Sequence, residues 1–167
     1  MGTIDCIRQS RWLALMLAGL ALSTPLHAEE AALQVTLSDG RQVTLAGSAL
    51  ASLPRQRLEA TAHGVTQTFE GYDLRAALGL AGVAVTEELR GKAVATVVIA
   101  EAGDGYQAAF ALAELDPTIG ARTVLLADRA DGEALPEGMR PWRLVVPAEQ
   151  RPTRWVWNLQ RLRVVAP

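Results

Sequence analysis

The sequence AVATVVIAEAGDGYQAAFALAELDPTIGARTVLLA, residues 93–127, decides the fold class. Its apolar beginning, residues 93–100, and its apolar end have the length and composition of buried strands. Between them, Gly103-Asp104-Gly105 is typical of a turn that leads into a further strand at residues 106–110. The helical pattern that follows, Leu112–Leu115, is a single turn before Asp116-Pro117. Strands therefore dominate this part of the chain, and its helices are short.

The same mixture extends in both directions. Residues 72–81 have helical spacing, Asp73 is placed to cap the helix and Gly82 to end it. Further strands are predicted at residues 33–37, 42–45, 58–62, 65–69, 142–146 and 159–165, and short helical segments at residues 49–53 and 153–157. We expect one α+β domain with about eight strands and a sheet-dominated core, whose strand order the pattern does not fix. The expected core residues are Val94, Val97, Ile99, Leu125, Leu126, Leu144 and Val146.

Residues 1–28 have the order of a secretory signal peptide. Arg8 and Arg11 precede the apolar run WLALMLAGLAL, and Leu26-His27-Ala28 ends in the small residue of a cleavage site. The run is shorter than the roughly 20 residues that cross a bilayer as a permanent helix. We expect cleavage after Ala28, a domain at residues 29–167, a periplasmic location and no membrane attachment after cleavage.

Composition excludes several classes of function for that domain. Without the signal peptide the chain has 14 Lys and Arg against 17 Asp and Glu, a net charge of −3, and no basic excess of the kind that nucleic-acid binding requires. The single cysteine, Cys6, lies within residues 1–28, so thiolate chemistry and cysteine-bound metals are excluded. His63 is then the only histidine. We expect no metal site and no nucleic-acid partner.

From Phe69 onward the order of segments resembles the oxidoreductase molybdopterin-binding domain, the catalytic domain of sulfite-oxidase-type enzymes. The stretches that carry the resemblance span about two thirds of the domain: FEGYDL at 69–74, AGV at 81–83, GDGY at 103–106, VLLAD at 124–128, GEALP at 132–136, RLVVP at 143–147 and RPTRW at 151–155. The resemblance implies an α+β fold of the sulfite-oxidase type and leaves molybdopterin open as a cofactor.

One departure from this family concerns the metal. Its enzymes bind molybdenum through a cysteine in the loop after the strand that corresponds to residues 58–62, and here that region reads EATAHG, residues 59–64. The domain is also shorter than a full catalytic domain of the family and lacks its N-terminal portion. The resemblance therefore implies a short form without the molybdenum-ligating cysteine.

Three candidate ligand contacts lie in predicted turns. The resemblance places His63 beside the position of the missing cysteine, but His63-Gly64 is also a simple turn between two strands. Asp104 and Tyr106 fall in GDGY, which resembles a substrate-side loop of the family and also reads as an ordinary hairpin turn with Tyr106 as a packing residue. Both interpretations stay open for all three residues.

The C-terminal segment, residues 140–167, is basic and contains Trp142, Trp155 and Trp157. Arginine binds carboxylate and phosphate with two parallel hydrogen bonds, and tryptophan offers a flat face to a ring. We expect Arg151 and Arg154 to contact an anionic small molecule and Trp155 to form part of the pocket wall. The resemblance places these arginines where family enzymes carry basic residues near their pterin. The alternative is solvated arginines over core tryptophans.

Three functions are compatible with the sequence. The first is an exported, non-catalytic ligand-binding or accessory module, with an anionic small molecule or a periplasmic protein as partner. The second is a molybdenum-cofactor-dependent oxidoreductase of the sulfite oxidase type, which would bind its cofactor without a protein thiolate or with the help of a partner. The third is an interaction domain without a small ligand. Fold likeness alone does not decide among them.

Overall fold

The computed structural model describes residues 31–83, 85 and 89–167, and strand pairing divides the ten strands of these residues between two five-stranded sheets. The strands are β1 Ala32–Thr36, β2 Gln42–Ala46, β3 Gln56–Ala62, β4 Val65–Asp73, β5 Val97–Ala102, β6 Gln107–Ala111, β7 Leu125–Ala130, β8 Glu133–Ala134, β9 Arg143–Val145 and β10 Leu159–Val165. The helices are α1 Gly47–Leu50, α2 Leu74–Leu80 and α3 Leu112–Leu115, and 3₁₀ turns cover Gly91–Ala95, Glu137–Met139 and Pro152–Arg154. The α+β class predicted from the sequence is confirmed.

The first sheet joins the two ends of the domain, in the order β2-β1-β10-β5-β6. The β1–β2 hairpin turns at Ser38-Asp39-Gly40, where Gly40 has a φ of 84° that glycine adopts without a steric cost. β10 then lies between β1 and β5 and pairs parallel with β1, from Gln34 opposite Arg161 to Thr36 opposite Arg163. This parallel pair brings together residues more than 120 positions apart in sequence.

The second sheet has the order β3-β4-β7-β8, and β9 also pairs with β7. Gly71 of β4 lies directly against β7, because a Cβ at this position would approach the carbonyl oxygen of Leu126 to 2.0 Å. β4 runs into α2 through Asp73, whose side chain accepts hydrogen bonds from the amides of Arg75 and Ala76. The predicted helix with this cap is confirmed.

Buried side chains of both sheets form one hydrophobic core. The expected core residues Leu125, Leu126, Leu144 and Val146 are fully buried. Val94 is wrong as a core residue, because it lies in the 3₁₀ turn Gly91–Ala95 and is 39% exposed. β5 begins only at Val97, and its core-facing side chains are Val98 and Ala100. Val97 and Ile99 point to the opposite, half-buried face, since successive side chains alternate along a strand.

The predicted short helix at residues 153–157 is a single 3₁₀ turn, Pro152–Arg154. The predicted signal peptide lies outside the described residues. Within the described residues, no helix has the length and apolar character needed to cross a membrane.

Candidate functional site

A cleft of about 730 Å³ opens where turns from both sheets meet the segment between β9 and β10. The turn between β3 and β4 forms one wall, the turn between β5 and β6 forms a second, and residues 150–157 form the third. The lining residues are His63, Gly64, Ala102, Asp104, Tyr106, Arg143, Gln150, Arg151, Pro152, Thr153, Trp155 and Trp157. We call this space the aromatic cleft.

Five of the six residues that the sequence singled out line the aromatic cleft, namely His63, Asp104, Tyr106, Arg151 and Trp155. They come from three segments that are far apart in sequence. The turn interpretation holds as well, because His63 and Gly64 have φ values of 53° and 79° and form the two-residue connection between β3 and β4. His63 is therefore both a turn residue and a residue that lines the cleft.

The GDGY turn fixes one wall of the aromatic cleft. The Asp104 carboxylate accepts a hydrogen bond from the Tyr106 amide at 2.9 Å, which closes the turn. The Tyr106 hydroxyl donates to the carbonyl oxygen of Thr153 at 2.5 Å. This bond ties the β5–β6 turn to the 3₁₀ turn that carries Arg151 at its start and Arg154 at its end.

The tryptophans divide between the core and the aromatic cleft. Trp155 is buried, its indole N–H donates to the carbonyl oxygen of Val146 at 3.1 Å, and its ring packs edge-on against Phe69 with centroids 5.7 Å apart. Trp157 is 49% exposed. Trp155 thus forms a fixed inner surface of the cleft, and the half-exposed Trp157 lies at its rim.

Arg143 also lines the aromatic cleft, although it is not among the six site residues that the sequence singled out. It is only 6% exposed, and its guanidinium carbon lies 5.0 Å from the ring centroid of Phe69, 5.3 Å from that of Trp155 and 5.5 Å from that of Trp157. Among the described residues it forms no ion pair. Its one hydrogen bond within the described part of the chain is a contact of 3.7 Å from Nη1 to the sulfur of Met139, and Nε is buried with no partner among the same residues.

Burial lowers the pKa of the Arg143 guanidinium, because no described carboxylate compensates for the loss of water. The sequence does carry a signal for this residue. In WRLVV, residues 142–146, arginine is the one charged residue in an apolar run. A charge within a buried strand needs a partner, which is either another group of the fold or a ligand.

Arg154 does not line the aromatic cleft, because carboxylates hold its side chain elsewhere. Its Nε donates to Glu149 at 2.6 Å, and its Nη1 and Nη2 donate to the two oxygens of Glu114 at 3.2 and 3.3 Å. Arg122 joins the same acids, with Nε 3.0 Å from Glu114. Arg122, Arg154, Glu114 and Glu149 form what we call the arginine–glutamate cluster.

Electrostatics in this cluster are balanced. Burial lowers the pKa of Arg154, but the hydrogen bonds to Glu114 and Glu149 outweigh burial, and the pKa is raised. Burial also opposes the charged form of Glu114, which by itself would raise the pKa of this carboxyl. The hydrogen bonds from Arg154 and from the Ala111 amide outweigh burial, and the pKa of Glu114 is lowered. Both groups are therefore held in their charged forms. The carboxylates that Arg154 contacts in the structure are those of Glu114 and Glu149.

The residues of the aromatic cleft do not fit a molybdenum center of the family type. Among the residues that the structure describes, the lining contains no cysteine, and His63 and Asp104 are the lining residues whose side chains commonly bind metals. Over residues 31–83, 85 and 89–167 there is no group of three or more His, Cys, Asp and Glu placed to hold a metal ion. What the lining offers is aromatic faces and arginine N–H donors, which suit an organic anion.

Comparison with known proteins yields a structural similarity alone. No protein-family model matches the chain, and no curated protein matches it in sequence. The fold is similar to the crystal structure of the sulfane dehydrogenase SoxCD from Paracoccus pantotrophus, with a TM-score of 0.59 and 20% sequence identity. The match covers 81% of this chain and 39% of the SoxCD chain. At this identity the similarity shows a distant relationship in fold alone. The shared fold is a sheet-dominated α+β domain, and it spans about two fifths of the SoxCD chain.

Proposed function

We propose that this chain is exported to the periplasm and acts there as a non-catalytic ligand-binding or accessory module, with its ligand in the aromatic cleft. The observation that carries the proposal is the convergence of His63, Asp104, Tyr106, Arg151 and Trp155 on one cleft of about 730 Å³. A cleft of this size accommodates a small organic molecule. Export rests on the signal-peptide pattern of residues 1–28.

The lining supports binding rather than catalysis. It has exposed aromatic surface at Tyr106 and Trp157 and cations at Arg143 and Arg151, but no nucleophile with an adjacent base. Asp104 is committed to its own turn through the Tyr106 amide. Such a set of groups is suited to orient a flat anion, and the described lining residues include no nucleophile paired with a base for group transfer.

The competing function is a molybdenum-cofactor-dependent oxidoreductase of the sulfite oxidase type. The sequence resemblance and the similarity in fold to a sulfane dehydrogenase favor it. The donor set of the cleft argues against it, because the position of the family cysteine is occupied by the region around His63, which has no thiol. Fold likeness alone does not establish an activity.

Elemental analysis separates these two functions. The full chain, expressed in a host that makes molybdenum cofactor, is purified from the periplasm and its molybdenum content and intact mass are measured. We expect far less than one molybdenum per chain and a mass that lacks residues 1–28. Stoichiometric molybdenum would overturn the proposal in favor of the oxidoreductase, and a mass that includes residues 1–28 would overturn cleavage of the signal peptide.

Calorimetric titration tests the cleft itself, with pterin-6-carboxylate as the probe. Replacing the exposed Trp157 by alanine should weaken binding by about five- to 150-fold, because stacking of a ring on an aromatic side chain contributes roughly 1–3 kcal/mol. Ile119→Ala removes an exposed apolar side chain outside the cleft and should leave binding unchanged. If the wild-type protein binds nothing, the interaction domain without a ligand becomes the better description.

A further inference from the structure

Arg143 has an unusual environment for a cation. Its side chain lies in β9, between the core of the second sheet and the aromatic cleft, and only 6% of its surface is exposed. Taking a guanidinium out of water is costly unless its donors are paired. Yet Nε has no partner, and the sulfur of Met139 is the one acceptor that the described residues provide.

Aromatic rings do not replace that missing acceptor. The rings of Phe69, Trp155 and Trp157 lie 5.0 to 5.5 Å from the guanidinium carbon and stabilize the positive charge through their faces. A guanidinium has five N–H donors in its plane, and a carboxylate accepts two of them at once in a parallel geometry. The aromatic side chains have no acceptor of this kind, so Nε and Nη2 of Arg143 have no hydrogen-bond acceptor among the described residues.

We propose that Arg143 anchors an anion site at the floor of the aromatic cleft, and that the ligand it selects is a flat aromatic ring bearing a carboxylate or another oxyanion. This inference rests on the proposed function and deepens it by naming the ligand class and the residue that selects it. The oxyanion meets Arg143, and the ring meets Trp157 and Tyr106, which are each about half exposed at the rim.

Charge along the cleft agrees with this assignment. Its lining has two arginines against one carboxylate, Asp104, and one oxygen of that carboxylate accepts from the Tyr106 amide. Arg151 is exposed and has no ion pair or hydrogen bond to other described residues, so it adds a second positive charge at the rim. Because water screens an exposed charge far more than a buried one, Arg143 dominates the selection of the anion.

The test compares three probes on the full chain by calorimetry: 2-naphthoate, its uncharged analogue 2-naphthamide, and acetate. We expect 2-naphthoate to bind at least about tenfold more tightly than 2-naphthamide, because a charge-assisted hydrogen bond contributes at least as much as the roughly 1.4 kcal/mol that corresponds to that factor. It should also bind more tightly than acetate, because acetate has no ring to stack on Trp157 and Tyr106. Acetate measures the charge without the ring, and 2-naphthamide measures the ring without the charge.

Two variants locate the charge that matters. Arg143→Met keeps an unbranched side chain and should lower 2-naphthoate affinity by about tenfold or more, to the level of 2-naphthamide, while 2-naphthamide binding is unchanged. Arg151→Met is the matched control at the rim and should lower 2-naphthoate affinity by less than about threefold. Unchanged 2-naphthamide binding in Arg143→Met also shows that the variant is folded.

Arg143→Lys keeps the inference testable if Arg143→Met does not fold. Lysine retains the charge without the planar fork, so 2-naphthoate affinity should fall by about threefold or more. The anchor is overturned if the wild-type protein binds the acid and the amide equally, if Arg143→Lys binds like wild type, or if the large loss occurs in Arg151→Met. Each of these results leaves a ligand-binding cleft intact. If neither naphthalene compound nor pterin-6-carboxylate binds, the proposed function fails together with the anchor.

Discussion

Two arginines on neighboring segments, Arg143 and Arg154, have opposite electrostatic surroundings. Both are stacked on aromatic rings, Arg154 at 4.6 Å from the ring centroid of Phe110 and Arg143 at 5.0 Å from that of Phe69. Arg154 also has two carboxylates and the carbonyl oxygen of Ala109 as acceptors, whereas Arg143 has a thioether. An arginine whose donors are satisfied within the protein holds segments together, and one whose donors are buried and free is suited to bind a ligand.

The positions of Glu114 and Glu149 explain why Arg154, and not Arg143, is paired with carboxylates of the protein. Glu114 lies in α3, where one of its oxygens also accepts from the Ala111 amide at 3.0 Å, and Glu149 lies in the segment before the 3₁₀ turn Pro152–Arg154. Arg154 bridges these two segments. Arg143 lies in β9, between β7 and the backbone of Val156, where apolar and aromatic side chains surround it. The arginine–glutamate cluster is therefore structural, and the aromatic cleft is the candidate site.

The largest expected effect comes from breaking the arginine–glutamate cluster. Arg154→Met leaves Glu114 and Glu149 without their main partner. Because these side chains are only partly exposed, we expect a loss of about 2–3 kcal/mol in the free energy of unfolding, at or below the low end of the range for a fully buried ion pair. Urea denaturation measures this loss. A loss below about 1 kcal/mol would mean that Arg122 alone compensates both acids and that the cluster does not hold these segments together.

A change of opposite sign is expected at Arg143. Arg143→Met removes a buried charge that has no carboxylate partner, so the free protein should be as stable as wild type or more stable by up to about 2 kcal/mol. Arg161→Met, at an exposed arginine 3.4 Å from Glu101, is the control and should change stability by less than about 0.5 kcal/mol. A clear destabilization in Arg143→Met would assign Arg143 a structural role within its aromatic rings.

The sequence predicted the turns and the capped helix well because their causes are local. Gly40, Gly64 and Gly105 adopt positive φ values in predicted turns, and Asp73 caps α2 through bonds to residues two and three positions away. Strand order was not predicted, since the parallel β1–β10 pair joins distant residues. The sequence also did not show which side chains of β5 face the core, because AVATVVIA is apolar at nearly every position and shows no alternation.

The candidate site was predicted in part for the same reason. Turns that end strands are recognizable locally, and the family resemblance pointed to His63, Asp104 and Tyr106 within them. Arginine roles are not local. Arg143 and Arg154 are the same residue type in one basic segment. What separates them is the pair of carboxylates at Arg154, of which Glu149 is five positions away in sequence and Glu114 is 40 positions away. Only the tertiary structure shows which arginine is neutralized by the protein.

The smallest expected effect is a pH dependence confined to the arginine–glutamate cluster. The pKa of Glu114 lies below its ordinary value of 4.5, because hydrogen bonds from Arg154 and the Ala111 amide outweigh the opposing effect of burial. A carboxyl whose pKa is lowered by folding stabilizes the protein above its unfolded-state pKa, and this contribution is lost as the pH falls through the folded-state pKa.

Wild type should therefore exceed Glu114→Gln in stability by roughly 0.5–1 kcal/mol near neutral pH, after allowance for solvent screening. The difference should shrink as the pH falls below the ordinary pKa of about 4.5 and vanish once the pH is below the lowered pKa of the folded state. Urea denaturation across this range measures it, with Glu133→Gln, at an exposed position of β8, as the control. If the difference persisted unchanged in acid, the carboxylate of Glu114 would not be the group that Arg154 stabilizes, and the contrast with Arg143 would lose its electrostatic basis.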